Sequence, residues 1–228
     1  MTTSPLSPRL LRGAIVALDP ANPLASVILF QYNPETMTRS LTPRTAGADL
    51  SAQGKSDLDT TEAKRISGPP KETITLKMAI DATDRLEQAD TMAVTLGIHP
   101  QMATLEMLMY PKTLSVLTNS AMSKAGTLEI VAMEAPLTLF IWGGNRILPV
   151  RVDSMNIEEL AYDVNLNPIR ADVDLTLEVL SYKELKLASL GGALFMAHQV
   201  SKELMATMES LKNVSSIAKG AAGSIPLL

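Results

Sequence analysis

Between residues 169 and 179 apolar and polar side chains alternate without a break. Ile169, Ala171, Val173, Leu175, Leu177 and Val179 stand against Arg170, Asp172, Asp174, Thr176 and Glu178. A repeat of two over that length fits an extended strand with one face in a core and one in water. Such a strand needs partners, and the chain supplies them. Ile74, Leu76, Met78 and Ile80 alternate with Thr73, Thr75 and Lys77. Met155 and Ile157 continue into Leu160, Tyr162 and Val164 with a phase slip at Glu158-Glu159, as a β-bulge requires. Residues 137–142 and 146–152 flank Gly143-Gly144-Asn145 and read as a hairpin with a three-residue loop. Pro149 has no amide donor, which predicts that its strand lies at an edge or is bulged there. Residues 13–18 and 27–32 are two further strands around a turn-rich 19–23. A β-rich body therefore runs from about residue 10 to about 183.

Helical signals are fewer. Residues 86–96 predict a helix stopped by Gly97, and residues 101–109 another stopped by Pro111. After residue 187 the period changes: Leu194, Ala197, Val200, Leu204, Met208 and Leu211 form one apolar helix stripe. The last stretch, 219–228, is small and flexible in composition. A helix of that length is marginal in water unless a surface covers its stripe. The stripe must dock on its own β body or on a partner, and a β body complete by residue 182 favours a partner. Residues 41–71, rich in Thr, Ser, Asp, Lys and Gly, read as a long arm, since a loop of about thirty residues inside a compact domain usually has a function of its own.

The 228-residue chain carries a formal net charge of −4, and its longest basic cluster is Lys64-Arg65. That argues against nucleic acid, which needs clustered Lys and Arg. No apolar run reaches the roughly 18 residues of a membrane span. The first residues lack the basic and apolar regions of a secretory signal, so export is expected only inside a larger object. Without cysteine there is no disulfide and no thiolate metal site. His99, before Pro100, reads as the start of a helix, and His198 as a flank of the C-terminal helix; neither has metal-ligand spacing. The carboxylate groups Asp57, Asp59, Glu62 and Asp81, Asp84, Glu87, Asp90 read as solvated surface, the second also as a helix start. No catalytic, cofactor-binding or metal residue is expected, and the chain is read as a non-enzyme. The thirteen methionines, dense between Met78 and Met133, read as core filler or as an adaptable contact surface.

Four segments in order resemble one family. ILFQYNP at 28–34, holding Phe30, Tyr32, Asn33 and Pro34, is similar to the F-x-Y-N-P signature of contractile injection system tube and tube-initiator proteins. QMATLEMLMYP at 101–111 resembles that family's short helix ending in Y-P. APLTLFIWG at 135–143 with RILPVR at 146–151, holding Trp142, Gly143, Pro149 and Arg151, resembles its hairpin. NLNPIRA at 165–171, with Asn165, Asn167, Pro168 and Arg170, resembles the lead into its last long strand.

The resemblance, of the antifeeding-prophage-like kind, implies a mainly β fold with minor α: a tube-protein-like β-sandwich or barrel with a short helix. Joined to the residue reading, this places a tube-like β domain at 1–185 with its arm at 41–71, and a C-terminal amphipathic helix and flexible tail at 186–228. It implies a homohexameric ring between a trimeric spike or hub and the inner tube protein, in contact with other baseplate proteins, with no nucleic acid and no membrane insertion. Such a protein is made and assembled in the bacterial cytoplasm, within a phage-tail-like particle that is released or membrane-docked. Leu194, Leu204, Met208 and Leu211 are then candidate partner contacts. Arg170, Asp172, Asp174 and Glu178 are candidates for a water-filled lumen, although alone they read as an ordinary solvent face. Many members carry a LysM module, which is not recognisable after residue 185, so cell-wall anchoring is in doubt. The alternatives are a tail-tube or hub protein of a contractile phage, and a peptidoglycan-binding accessory subunit.

Overall fold

The computed structural model describes residues 11–18, 26–44, 66–111, 113–124 and 136–223. In chain order the elements are β1 (Ala14–Leu18), β2 (Ser26–Leu29), β3 (Met37–Thr42) and β4 (Lys71–Asp81), then α1 (Thr83–Glu87), α2 (Thr91–Leu96), α3 (His99–Glu106) and α4 (Thr113–Lys124). They are followed by β5 (Leu137–Ile141), β6 (Ile147–Tyr162), β7 (Pro168–Val179) and α5 (Leu190–Gly223). The strands form one antiparallel sheet in the order β2-β1-β5-β6-β7-β4-β3. The fold is mainly β with minor α, as the alternations predict, and the sheet is not closed into a barrel.

The registers explain the core. Ile74, Leu76, Met78 and Ile80 of β4 stand opposite Leu177, Leu175, Val173 and Ala171 of β7, and all eight are buried. Across the sheet Ile15 faces Phe140, which faces Leu148, and these too are buried. Both halves belong to one cluster with Ile98, Met102, Leu105 and Leu108, so the sheet curls and α3 with its flanking residues plugs the trough. The backbone amide of Asp81, at the end of β4, donates to Oε1 of Gln31 at 3.1 Å and ties together strands distant in sheet order.

The expected hairpin is present: Ile141 pairs with Ile147, and Gly143 takes φ +69° in the loop. Two expected strands turn out to be one. β6 runs through 16 residues because the register shifts between Val152 and Ser154. One inserted residue moves the inward positions from Val150 and Val152 to Met155 and Ile157, so a bulge had looked like a strand end. The further shifts, from Glu159 through Ala161 to Tyr162, lie beside the slip expected at Glu158-Glu159.

Pro149 is not on an edge strand and no register shift falls at it, since β6 is flanked by β5 and β7. Its carbonyl accepts from Leu180, beyond Val179, where the β6–β7 ladder has not begun. The side that lacks an amide donor therefore faces no ladder partner.

The helix expected at 86–96 is two helices. Ala89 sits at φ +51° and Asp90 caps α2, accepting from the Met92 amide at 2.9 Å. Gly97, at φ +59°, ends α2 as expected. His99 opens α3, as its place before Pro100 suggests, so the helix starts two residues ahead of the 101–109 stretch. β3 and α4 had no strong periodic signal. β3 exists through pairing with β4, which takes Leu41 and Thr42 out of the expected arm. The Ser67 amide donates to the Arg44 carbonyl at 2.8 Å, bringing the two ends of the segment together; the arm residues 45–65, with Asp57, Asp59 and Glu62, lie outside the described residues. α5 continues through Gly223, into the stretch read as a flexible tail.

Candidate functional site

Residues of the 28–34 and 135–143 segments serve the backbone frame. Phe30, Phe140 and Trp142 form an aromatic trio with centroids 6.0 to 6.5 Å apart. Gly13 lies against it, where a Cβ would come within 2.6 Å of the Phe30 ring and 2.8 Å of Trp142. Asn33 clamps the chain ahead of β1, its Oδ1 accepting from Gly13 at 2.9 Å and its Nδ2 donating to the Leu11 carbonyl at 2.8 Å. Tyr32 is exposed and Pro34 half-buried.

The NLNP segment builds a rigid tip between β6 and β7. One oxygen of Asp163 accepts from the amides of Asn165 and Asn167 at 2.7 and 2.8 Å, and the other from Asn167 Nδ2 at 2.9 Å. Those bonds, the side-chain one first, hold the Asp163 carboxyl below the usual carboxylate range. Leu166 takes φ +65°, unusual for a branched residue. The tip is anchored sideways, since the Pro168 carbonyl accepts from Ile98 at 2.9 Å. This frame holds Val164 and Leu166 out at 98% and 78% exposure. The sequence pattern did not single out Asp163, although an Asx residue before an Asn-rich turn is its signal.

The outer face of β4, β7 and β6 is a lattice of charges. Lys77 contacts Asp172 at 3.1 Å, and Arg170 approaches Asp81 at 3.8 Å. The hydrogen bond to Asp172, then the Asp172 and Asp174 charges, raise the Lys77 ammonium above its ordinary value. Of the four candidate lumen residues, Arg170 and Asp174 are exposed and Asp172 is half-buried. Glu178 is different: it is buried, and its carboxylate is held by Arg151 at 2.6 Å and Lys71 at 3.4 Å. A paired, covered carboxylate does not present itself to a lumen. Arg151, chosen as a motif residue, is the side chain that pairs with it.

The last surface belongs to α5. Its first turns dock on the sheet. A Cβ on Gly192 would lie 2.3 Å from the Lys186 carbonyl, and one on Gly191 2.7 Å from Leu185, so both glycines permit close approach. Phe195 meets Tyr182 edge to face at 6.1 Å. His198 is not a flank of the helix but the centre of the docked face: it is buried, with Nδ1 3.2 Å from the Asn145 carbonyl oxygen. Lys202 reaches Glu72 Oε2 at 3.4 Å, while Arg39 Nε donates to Glu72 Oε1 at 2.8 Å. Glu72 does not stand out in the sequence, although its inward register in β4, in phase with Ile74, marks it as a buried carboxylate needing partners.

The stripe chosen from the sequence lies elsewhere. Leu194 is half-buried, whereas Leu204, Met208 and Leu211 are 56%, 55% and 66% exposed. On an α-helix their arc, with Val200, is centred roughly 150° from Gly191, Phe195, His198 and Lys202. All of residues 203–214 are exposed.

A shallow cleft between β2, β4 and α3 is lined by Val27, Leu29, Met78, Ile80 and Leu105 with Gln101, and no lining residue is ionisable. Among the described residues no three His, Cys, Asp or Glu side chains group as a metal would require. The second carboxylate group does local work: Asp81 accepts from the Thr83 amide at 2.7 Å, Asp84 lies in the first turn of α1 and Asp90 caps α2. Met78 and Met102 fill the core, while Met92, Met107 and Met109 are exposed. No family model and no curated protein matches the chain.

Proposed function

We propose that this protein is a structural baseplate component of a contractile injection system. In this reading it forms a sixfold ring that joins the central spike to the inner tube and starts tube assembly. One observation carries the assembly role: the apolar arc of α5 turns away from its own sheet and is bare among the described residues, a surface open to another chain. The machine is named by the four ordered segments that resemble tube and tube-initiator proteins. Two further features support the reading. The edges of the sheet, β2 and β3, have no partner on their outer sides among the described strands, and such edges are templates for a neighbouring subunit. The NLNP tip presents Val164 and Leu166 from a rigid turn, a suitable contact for an adjoining layer.

The test is coexpression with the spike and inner-tube proteins of a contractile system, read by mass photometry and electron microscopy. Rings with multiples of six copies at the spike–tube junction are expected. A strictly monomeric protein within an intact particle would overturn the reading.

A further inference from the structure

We propose that the seam between α5 and the sheet is an acid-sensitive latch, in which protonation of His198 detaches the helix. A backbone carbonyl only accepts, so the His198 nitrogen facing Asn145, Nδ1, carries hydrogen in the docked state. Nε2 then carries the lone pair, and it is buried without a hydrogen-bond partner. A second proton can enter only at Nε2, where no acceptor meets it.

The surroundings oppose the charge as well. Lys202 faces His198 from one turn along α5, and Arg146 from the hairpin loop just before β6. Arg39 on β3 stands behind, next to Arg146. Among the described residues Glu72 on β4 is the one carboxylate facing the ring, and both its oxygens are already engaged, by Arg39 and Lys202. Protonated His198 would be a fourth cation around a single carboxylate. Burial first, and then Lys202, lower the His198 affinity for a proton, against the opposing effects of the Asn145 carbonyl and Glu72.

The direction follows from linkage. A docked histidine whose pKa is depressed contributes its full stabilisation above the undocked value, about 6.5. That contribution is lost as pH falls below 6.5 toward the docked value. Acid therefore favours the detached helix, in which the imidazole is solvated and free to ionise. The latch acts within α5: the body itself is held by an apolar core that contains no histidine.

The chain has no cysteine, so two can be introduced for spin labels without background. Ser210→Cys on α5 and Thr42→Cys on β3 are both exposed. Dipolar distance measurements on the full chain should give one narrow distance at pH 7.5. A several-fold shift of population toward a broad, longer distribution is expected by pH 5, while near-ultraviolet circular dichroism shows the body still folded. His198→Gln, which cannot ionise, should remove the pH dependence. An unchanged wild-type distance at pH 5, or the same transition in H198Q, overturns the proposal. Should H198Q detach at both pH values, an NMR titration of the wild-type imidazole decides without the variant. A His198 transition clearly below 6.5 supports the latch, and one at or above 6.5 refutes it.

Discussion

The two faces of α5 can be separated by one pair of substitutions. Phe195 lies half-buried on the docked face against the Tyr182 ring, and Leu204 lies 56% exposed on the opposite arc. Phe195→Asp removes a partly buried aromatic, worth about 1 kcal/mol in area and about 1 more in ring contact. It also puts a carboxylate where a ring was, so the loss should be about 2–3 kcal/mol. In a chain of this size that lowers Tm by about 5–10 °C. Leu204 lies on the exposed arc, so Leu204→Asp should stay within about 0.5 kcal/mol of wild type. Urea and thermal unfolding of the isolated protein measure both. In the proposed particle the order reverses in importance, since L204D should fold normally and fail to be incorporated. A fall in Tm for L204D as large as that for F195D would refute the reasoning, because the arc would then pack on its own body.

Two further outcomes are expected. Asp163→Ala removes the acceptor that organises the NLNP tip, so amide exchange at Asn165 and Asn167 should accelerate while Tm hardly moves. In the wild type the same protection should be complete above about pH 4 and fade in stronger acid, as the Asp163 carboxyl is protonated through its lowered value; equal protection in both proteins would remove Asp163 from that role. Replacing residues 46–65 with a four-residue turn should stabilise the body by about 1 kcal/mol, because two halvings of loop length are worth roughly 0.6 kcal/mol each. The adjacency of Arg44 and Ser67 allows the shorter closure, and a Tm lowered by several degrees would show that the arm contributes to the core.

Legibility followed the range of the interaction responsible. Strand alternation is a local code, so β4, β7 and the β5–β6 hairpin could be read from the residues themselves. The bulge at Val152 to Ser154 was hidden because one extra residue reverses the phase and imitates a strand end. Pro149 misled for a related reason: its missing donor matters only on the side of a ladder, and that ladder starts one residue later. The docked face of α5 was obscured by composition. Two glycines, a histidine and a lysine do not score as an apolar stripe, yet small size and an ion pair to the buried Glu72 make them the contact. The stronger stripe, Val200 to Leu211, is the one left bare among the described residues. The charged face of β7 could be located but not resolved, because only the register shows that Arg151 stands opposite Glu178.

The length of α5 has a mechanical consequence. At 1.5 Å per residue its 34 residues extend about 51 Å. The contacts from Gly191 to Lys202 hold only the first part, leaving about 30 Å of helix as an outrigger. The seam is thus a fulcrum close to one end of a rigid lever. A tilt of about 10° there would swing the far end through roughly 5 Å, close to one full helical turn. Sub-ångström rearrangement around His198 and Glu72 would therefore be amplified several-fold at Gly223, converting a small change beside the sheet into a displacement large enough to engage or release a neighbour.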